Sequence, residues 1–420
     1  MQNLEKIKDG VFYCGSFNKR FKFNIICVNL IVELTEKTAA FNVVLASLLR
    51  KSCKKYPQDL DMGKRLKQLY GANLFCDVKK AGEKQIVVFG IEVLDDEFSF
   101  EKEELTKNAV EFLMEILFNP KIENNAFSKK DVELEKKELE NLIKSIYNDK
   151  KQFALLKAVK HLFKGQNAAV LKYGSLEEIE KINSKYLVSC YNNLILNSNV
   201  LITSSARRDI KKDLEPLFKK FKELKREPVE FKNKNYFFVE KKEVKEQDDL
   251  TQAKLVVCFL KKEEFLKEKS FKDYVSSLIL NAIFGGSATS FLFTKVREEQ
   301  NLCYYCNSFF NGFLNAIFVE SGVSFLKADL AFKEIVFQMD LIKKGEFSTK
   351  DLNQGKFFLE GVFTNILDSE SKICGYFLNS FLNGYGKNLE QTIEQVKKIT
   401  KQDVLNSAKQ FEVALKYVLR

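Results

Sequence analysis

The sequence predicts an α+β protein built as two halves of one plan. Three observations carry that prediction. The order apolar helix, second helix, β-hairpin occurs near residues 39–93 and again near 273–321. Ile179-Glu180-Lys181-Ile182 with Leu187 matches Val396-Lys397-Lys398-Ile399 with Val404 in spacing, so the likeness extends further along each half. Between them, residues 227–246 are charged and contain Pro228, which makes this stretch the linker candidate. The expected domains are therefore 1–226 and 247–420, each a mostly antiparallel sheet packed with helices.

Composition bounds what such a chain does. At 420 residues, 45% apolar and 13% aromatic, it can bury more than one core. Its 68 basic and 57 acidic residues are interleaved and leave a net charge of +11, which describes a solvated mixed surface. No recognised basic module accompanies that charge, so nucleic acid is not an expected partner. Nine cysteines (Cys14, Cys27, Cys53, Cys76, Cys190, Cys258, Cys303, Cys306 and Cys374) sit mostly in apolar runs. An odd count in a long chain fits reduced, buried thiols of a cytosolic protein. Met1 to Gly10 is charged and unlike a secretory signal, and Ile25 to Leu34 is too short to cross a bilayer. A cytoplasmic protein with no membrane partner is the expectation.

In order, Val11–Phe23 and Asn24–Leu34 read as a strand pair with a turn at Ser16–Arg20. Thr38–Arg50 is apolar almost all round and predicts a buried helix; Pro57 follows it in an exposed turn. A helix over Asp59–Tyr70 stops at Gly71, and Ala72–Lys79 with Lys84–Val93 form a hairpin turning near Gly82. Glu101–Phe118 is an amphipathic helix, and Ser128–Lys164 one long or broken one. Ser175 and Glu178 resemble a capping box; Val200–Thr203 is a strand and Arg207–Lys225 a Lys-rich helix.

The second half opens with a strand at Leu255–Leu260 and an apolar helix at Asp273–Phe284, ended by Gly285-Gly286. A phosphate loop is not expected there, because no Gly-Lys-Ser/Thr follows. A short helix ending in Arg297-Glu298 comes next, then a hairpin of Leu302–Phe310 and Phe313–Ser321 turning at Asn311-Gly312.

These residues resemble a known family. Gly285-Gly286-Ser287, Leu292-Phe293, Val296-Arg297-Glu298 and Leu302-Cys303-Tyr304 look like the second-domain signature of the M16, insulinase-like metallopeptidases. Lys51-Ser52-Cys53-Lys54-Lys55-Tyr56-Pro57 looks like the segment after the zinc helix of their first domain, and the likeness runs through nearly all of the chain. It implies two homologous M16-type domains forming half of a clam-shell. Active members carry His-x-x-Glu-His on the first-domain helix, with a later Glu as third zinc ligand. Counting back from Lys51 puts those positions at Val43, Ala46 and Ser47, none of which can do that work. The later Glu position falls near Asn141 or Leu142, with Glu138 and Glu140 close by.

Residue chemistry points the same way without the family. Catalytic zinc usually takes three protein ligands, commonly His, and this chain has one histidine, His161, which reads as structural. Its one Cys-x-x-Cys, Cys303 to Cys306, has no second pair and reads as buried or half-buried strand positions.

In the related peptidases an Arg and a Tyr of the second domain reach across the closed chamber to substrate carbonyls. By resemblance these are Arg297 and Tyr304, with Tyr305 as neighbour. Zinc positions emptied and Arg and Tyr positions filled imply a zinc-less, substrate-binding subunit of a heterodimer. The zinc and His-x-x-Glu-His are then expected in the partner, with no cofactor in this chain and a peptide as substrate. The implied relatives are zinc-less homologues of Gram-positive bacteria, associated with maturation pathways that include that of elongation factor P. The alternative is a scaffold of the same fold with no role in proteolysis.

Overall fold

The computed structural model describes residues 4–229, 235–266 and 270–420. In it the apolar runs sort into two mixed sheets, each with its own core. The first contains β1 (Glu5–Lys8), β2 (Val11–Phe17), β3 (Phe23–Glu33), β4 (Asn73–Ala81), β5 (Lys84–Leu94) and β6 (Asn199–Ala206), in the order β1-β2-β6-β3-β5-β4. The second contains β7 (Lys242–Glu246), β8 (Ala253–Lys261), β9 (Cys303–Asn311), β10 (Ala316–Val323) and β11 (Phe411–Leu419), in the order β7-β11-β8-β10-β9. Setting β1 aside, the two orders correspond strand for strand. So do the directions: β2 with β6 and β7 with β11 are the parallel pairs, and the other pairs are antiparallel. The repeat predicted from element order is thus a repeat of topology.

The expected pairing of β2 with β3 does not occur. β6, from residues almost two hundred positions away, lies between them, parallel to β2 and antiparallel to β3. Its residues Val200 to Ala206 are all buried, which a strand achieves only with neighbours on both edges and cover on both faces. A local turn signal cannot register such a distant competitor.

In the first unit α1 (Glu36–Lys51) starts at Thr35, whose side chain accepts from the Thr38 N–H, and buries Phe41, Val44, Leu45, Leu48 and Leu49. α2 (Asp59–Gln68) is followed by Gly71 at φ +75°, a left-handed position that suits glycine after a helix. α3 (Leu105–Phe118) begins later than expected, since Ser99 to Glu104 is irregular. The predicted long helix is broken: α4 (Lys129–Asn148) stops, and Asp149 caps α5 (Lys150–Leu162) by accepting from the N–H groups of Lys151 and Gln152. Ser175 caps α6 (Leu176–Glu180) as expected, but the Glu178 carboxylate takes the Lys181 ammonium at 2.6 Å in place of the reciprocal cap. α7 (Tyr186–Asn197) leads into β6, and α8 (Lys211–Glu223) follows it.

In the second unit α9 (Phe271–Asn281) runs into a π-helical turn, Ala282–Gly286, so the helix ends after the glycine pair, at Ser287. Gly285 is required there: a Cβ would run into Leu292 and Ser308. A π-helical segment, Leu292–Glu299, leads to β9. The hairpin turn is longer than an Asn-Gly pair. Residues 312–315 form it, the Asn311 side chain accepts from the N–H groups of Phe313 and Leu314, and Asn315 rather than Gly312 takes positive φ. The remaining helices are α10 (Ala328–Lys343), α11 (Thr349–Leu367), α12 (Glu370–Asn383), α13 (Leu389–Lys398) and α14 (Lys401–Lys409). α13 and α14 precede β11 as α6 and α7 precede β6, with Ile179, Ile182 and Leu187 buried like Val396, Ile399 and Val404.

The compact units are not contiguous in sequence. One comprises Met1–Lys144, Val170–Lys232 and Ile366–Asn388; the other comprises Ser145–Ala169, Asn233–Asn365 and Leu389–Arg420. α12 thus packs on the first sheet and α5 on the second. The predicted linker is in part structure: Tyr236 is buried and Lys242–Glu246 is β7, while residues 230–234 lie outside the described residues.

Candidate functional site

Two places test the sequence expectations, one in each unit. The first is α1. Ala46 is buried, while Val43 and Ser47 are half-buried on neighbouring turns. A methyl, an isopropyl and a hydroxyl supply no imidazole or carboxylate, so the donor set does not fit zinc. One carboxylate does reach α1 from α4. It is Glu135, only 4% exposed, and it pairs with the Lys51 ammonium. Glu138 lies farther from the same ammonium, at 3.9 Å. Burial alone would lower the Lys51 pKa, but the hydrogen bond and charge of Glu135 prevail and raise it. Lys51 is four residues beyond Ser47, so the two share one side of α1. Asn141 and Leu142 are on the exposed side of α4, and Glu140 approaches Lys144 at 4.0 Å.

The second place is the junction of the π-helical segment with β9. Its approach is fixed by Asn281, whose side chain accepts from the Ser308 hydroxyl at 2.7 Å. π-Helical geometry is uncommon and gathers at functional positions. Arg297 occupies the last turn, with its guanidinium 4.8 Å from the centre of the Phe293 ring and 3.4 Å from Glu298. The side chain remains 40% exposed. Asn301, at φ +50°, turns the chain into β9, and the Leu302 N–H returns to the Val296 carbonyl at 3.1 Å.

β9 then departs from regular pairing. Cys303 pairs with Val323 and Tyr305 with Gly322, so Tyr304 is an extra residue without a partner on β10. This is a β-bulge, a device that re-aims one side chain. Tyr304 is turned outward and is 66% exposed. Tyr305 behaves differently. Its ring lies against Gly322, the ammoniums of Lys151 and Lys254 stand 5.0 and 5.8 Å from its centre, and its hydroxyl is buried with no hydrogen-bond partner among the described residues. Burial drives its phenol pKa well above the ordinary value. Of the expected trio, Arg297 and Tyr304 present donors to solvent, whereas Tyr305 is held within the fold.

His161 has a structural setting. It meets the Glu246 carboxylate at 2.6 Å and stacks on Tyr417 at 5.9 Å between ring centres. Among the described residues no three His, Cys, Asp or Glu side chains converge as a metal-binding group, and no helix is long and apolar enough to cross a membrane. Sequence reasoning missed the bulge and the Lys51–Glu135 pair. Neither leaves a local signal, since the first depends on register and the second on which face of α4 meets α1.

Two units of repeated topology, one with no imidazole or carboxylate at Val43, Ala46 and Ser47 and the other with an exposed Arg and Tyr, make this chain similar to the M16 metallopeptidases in fold, without the donors of a zinc site at those positions. Comparison with known proteins agrees. Residues 154–359 match the family model described as the peptidase M16 inactive domain. Over 403 residues, 96% of this chain and 94% of the relative, the sequence is 23% identical to "Probable inactive metalloprotease YmfF" of Bacillus subtilis strain 168. A conserved protein from Enterococcus faecalis V583 has the same fold, with TM-score 0.88 at 22% identity over 100% of this chain and 99% of that one. So does a peptidase M16 inactive domain from Pseudomonas fluorescens, with TM-score 0.76 at 14% identity over 97% and 95% of the two chains.

Proposed function

We propose that this chain is the non-catalytic, substrate-binding subunit of a heterodimeric M16-type zinc metallopeptidase that processes peptides or small proteins. The observation that carries the proposal is the β9 bulge. It turns Tyr304 outward next to a strand whose preceding helical turn offers the Arg297 guanidinium. Both are donors only or chiefly, suited to a peptide carbonyl and to the charge that develops on it, and neither needs a metal of its own. A zinc-bearing partner with His-x-x-Glu-His supplies the activated water. Processing within a maturation pathway, such as that of elongation factor P, is the biological setting the resemblance implies.

Affinity purification from the native host is the direct test, with a His-x-x-Glu-His protein expected to co-purify. In the reconstituted pair, Arg297→Ala and Tyr304→Phe should each lower kcat/KM for peptide cleavage roughly 10- to 100-fold, the range for losing one charge-stabilising donor. Unchanged cleavage with both variants would leave the scaffold reading in its place.

A further inference from the structure

In an unbroken strand, residues three apart point to opposite faces. Cys303 and Cys306 do not, because the Tyr304 bulge lies between them. Cys303 pairs with Val323 and Cys306 with Ser321, so the two cysteines span only two residues of β10. Both are turned inward, 7% and 4% exposed. Two residues of antiparallel strand span about 6.7 Å. That lies at the upper end of the Cα separations a disulfide bridges, about 4.4–6.8 Å. Both thiols are free, and they share a hydrogen bond. That bond is the first cause holding the Cys303 thiol below its ordinary pKa; burial opposes it, and the Ser321 hydroxyl and the Arg297 charge assist. β9 is also the edge of its sheet, so local opening exposes the pair without breaking interior strand pairing.

We propose that Cys303 and Cys306 form a dithiol–disulfide couple, a modification site built into the bulge that presents Tyr304. The oxidant is a low-molecular-weight disulfide. The Cys303 thiolate attacks one of its sulfurs, forming a mixed disulfide and expelling one thiolate, which takes the Cys306 proton. Cys306 then attacks the Cys303 sulfur and expels the second thiolate, which takes up from solvent the proton that Cys303 released. Two protein S–H groups and one small disulfide become one protein disulfide and two small thiols, with two electrons passed to the oxidant. The bond pins the residues on either side of Tyr304 and Tyr305. An effect on peptide contact rests on the substrate-binding reading above, whereas the couple itself does not.

The test uses the full chain equilibrated in graded glutathione redox buffers, quenched in acid, alkylated with N-ethylmaleimide and digested with trypsin. Cleavage after Arg297 and Lys327 yields one peptide, residues 298–327, whose only cysteines are these two. The doubly alkylated peptide should give way to an unalkylated form two hydrogens lighter, reversibly with dithiothreitol. Cys306→Ser should stop instead at a glutathione adduct on Cys303. The Cys27–Cys374 thiol pair, which also shares a hydrogen bond but joins the interior strand β3 to the buried face of α12, should lag behind as an internal comparison. Retention of both alkyl groups across the whole buffer range, or mixed disulfides alone in the unsubstituted chain, would overturn the proposal. Since the readout is a mass, it stands apart from any result of the peptide-cleavage test.

Discussion

Glu246 is held by three donors at once: His161 at 2.6 Å, Lys157 at 3.0 Å and the Tyr417 hydroxyl at 3.0 Å. Burial would raise its pKa, but these contacts overcome that and bring it down to about 2. A carboxylate depressed in the folded state gives stability that is complete above its unfolded pKa, about 4.3, and is lost as pH falls toward 2. Glu246→Gln should therefore cost about 1.5–3 kcal/mol at pH 7, the range for hydrogen bonds to a charged group. In urea unfolding that deficit should shrink by pH 3; an equal deficit at both pH values would show that charge is not involved. Lys80 gives the opposite limb. Burial lowers its pKa to about 8, with its ammonium donating to the Val170 carbonyl at 2.7 Å. For a depressed cation the cost is complete below the folded pKa and is relieved up to the unfolded one, about 10.4. Relative to Lys80→Met, the unsubstituted chain should gain stability between pH 8 and 10, measured at fixed ionic strength. The sequence disclosed the isolation of His161 but not its partner, because Glu246 sits in a charged stretch that resembles linker.

At the scale of elements the two hairpins share a device and differ beyond it by one inserted residue in the edge strand as well as in the length of the turn. In the first, Phe75 of β4 pairs with Gly90 of β5; in the second, Tyr305 of β9 pairs with Gly322 of β10. Each ring covers its glycine, so a Cβ on either glycine would run into it. Gly90→Ala and Gly322→Ala should each destabilise by about 1–3 kcal/mol, the usual cost of overpacking. Chemical denaturation of the two variants checks this, and no loss at Gly322 would mean that the Tyr305 ring moves freely. Such freedom is unexpected beneath two ammoniums. Past this shared pair the hairpins part. β4 continues in register, Leu74 opposite Ile91, whereas β9 inserts Tyr304. Both hairpins were legible from apolar runs and glycine turns. The insertion was not, since Leu302–Phe310 reads as strand whether or not one residue bulges, and only the partner strand reveals the mismatch. The lack of imidazole and carboxylate at Val43, Ala46 and Ser47 was legible because it depends on residue type alone.

At the scale of the molecule the repeat carries one exchange that element order could not disclose. α5 follows the first unit in sequence but buries Ala154, Ala158 and Leu162 among Val256, Cys258, Leu260, Phe318 and Tyr417 of the second. α12 follows most of the second unit but buries Ile373, Phe377, Leu378 and Leu382 in the first, with the Phe381 ring tilted against that of Phe12 at 5.1 Å between centres. Hydrophobic periodicity shows that each helix has an apolar face; it does not say which sheet that face covers. The energetic consequence is large. Uncovering four such side chains forfeits about 6–12 kcal/mol, comparable with the whole stability of a domain, about 5–15 kcal/mol. A fragment of residues 1–226 should therefore fail to unfold cooperatively and should bind a hydrophobic dye, while the same fragment carrying 366–388 through a flexible linker should regain a urea transition. A cooperative transition of 1–226 alone would sink the expectation. Its physical meaning would be definite, because that fragment retains α5, and the helix would then have taken the place that α12 fills in the intact chain.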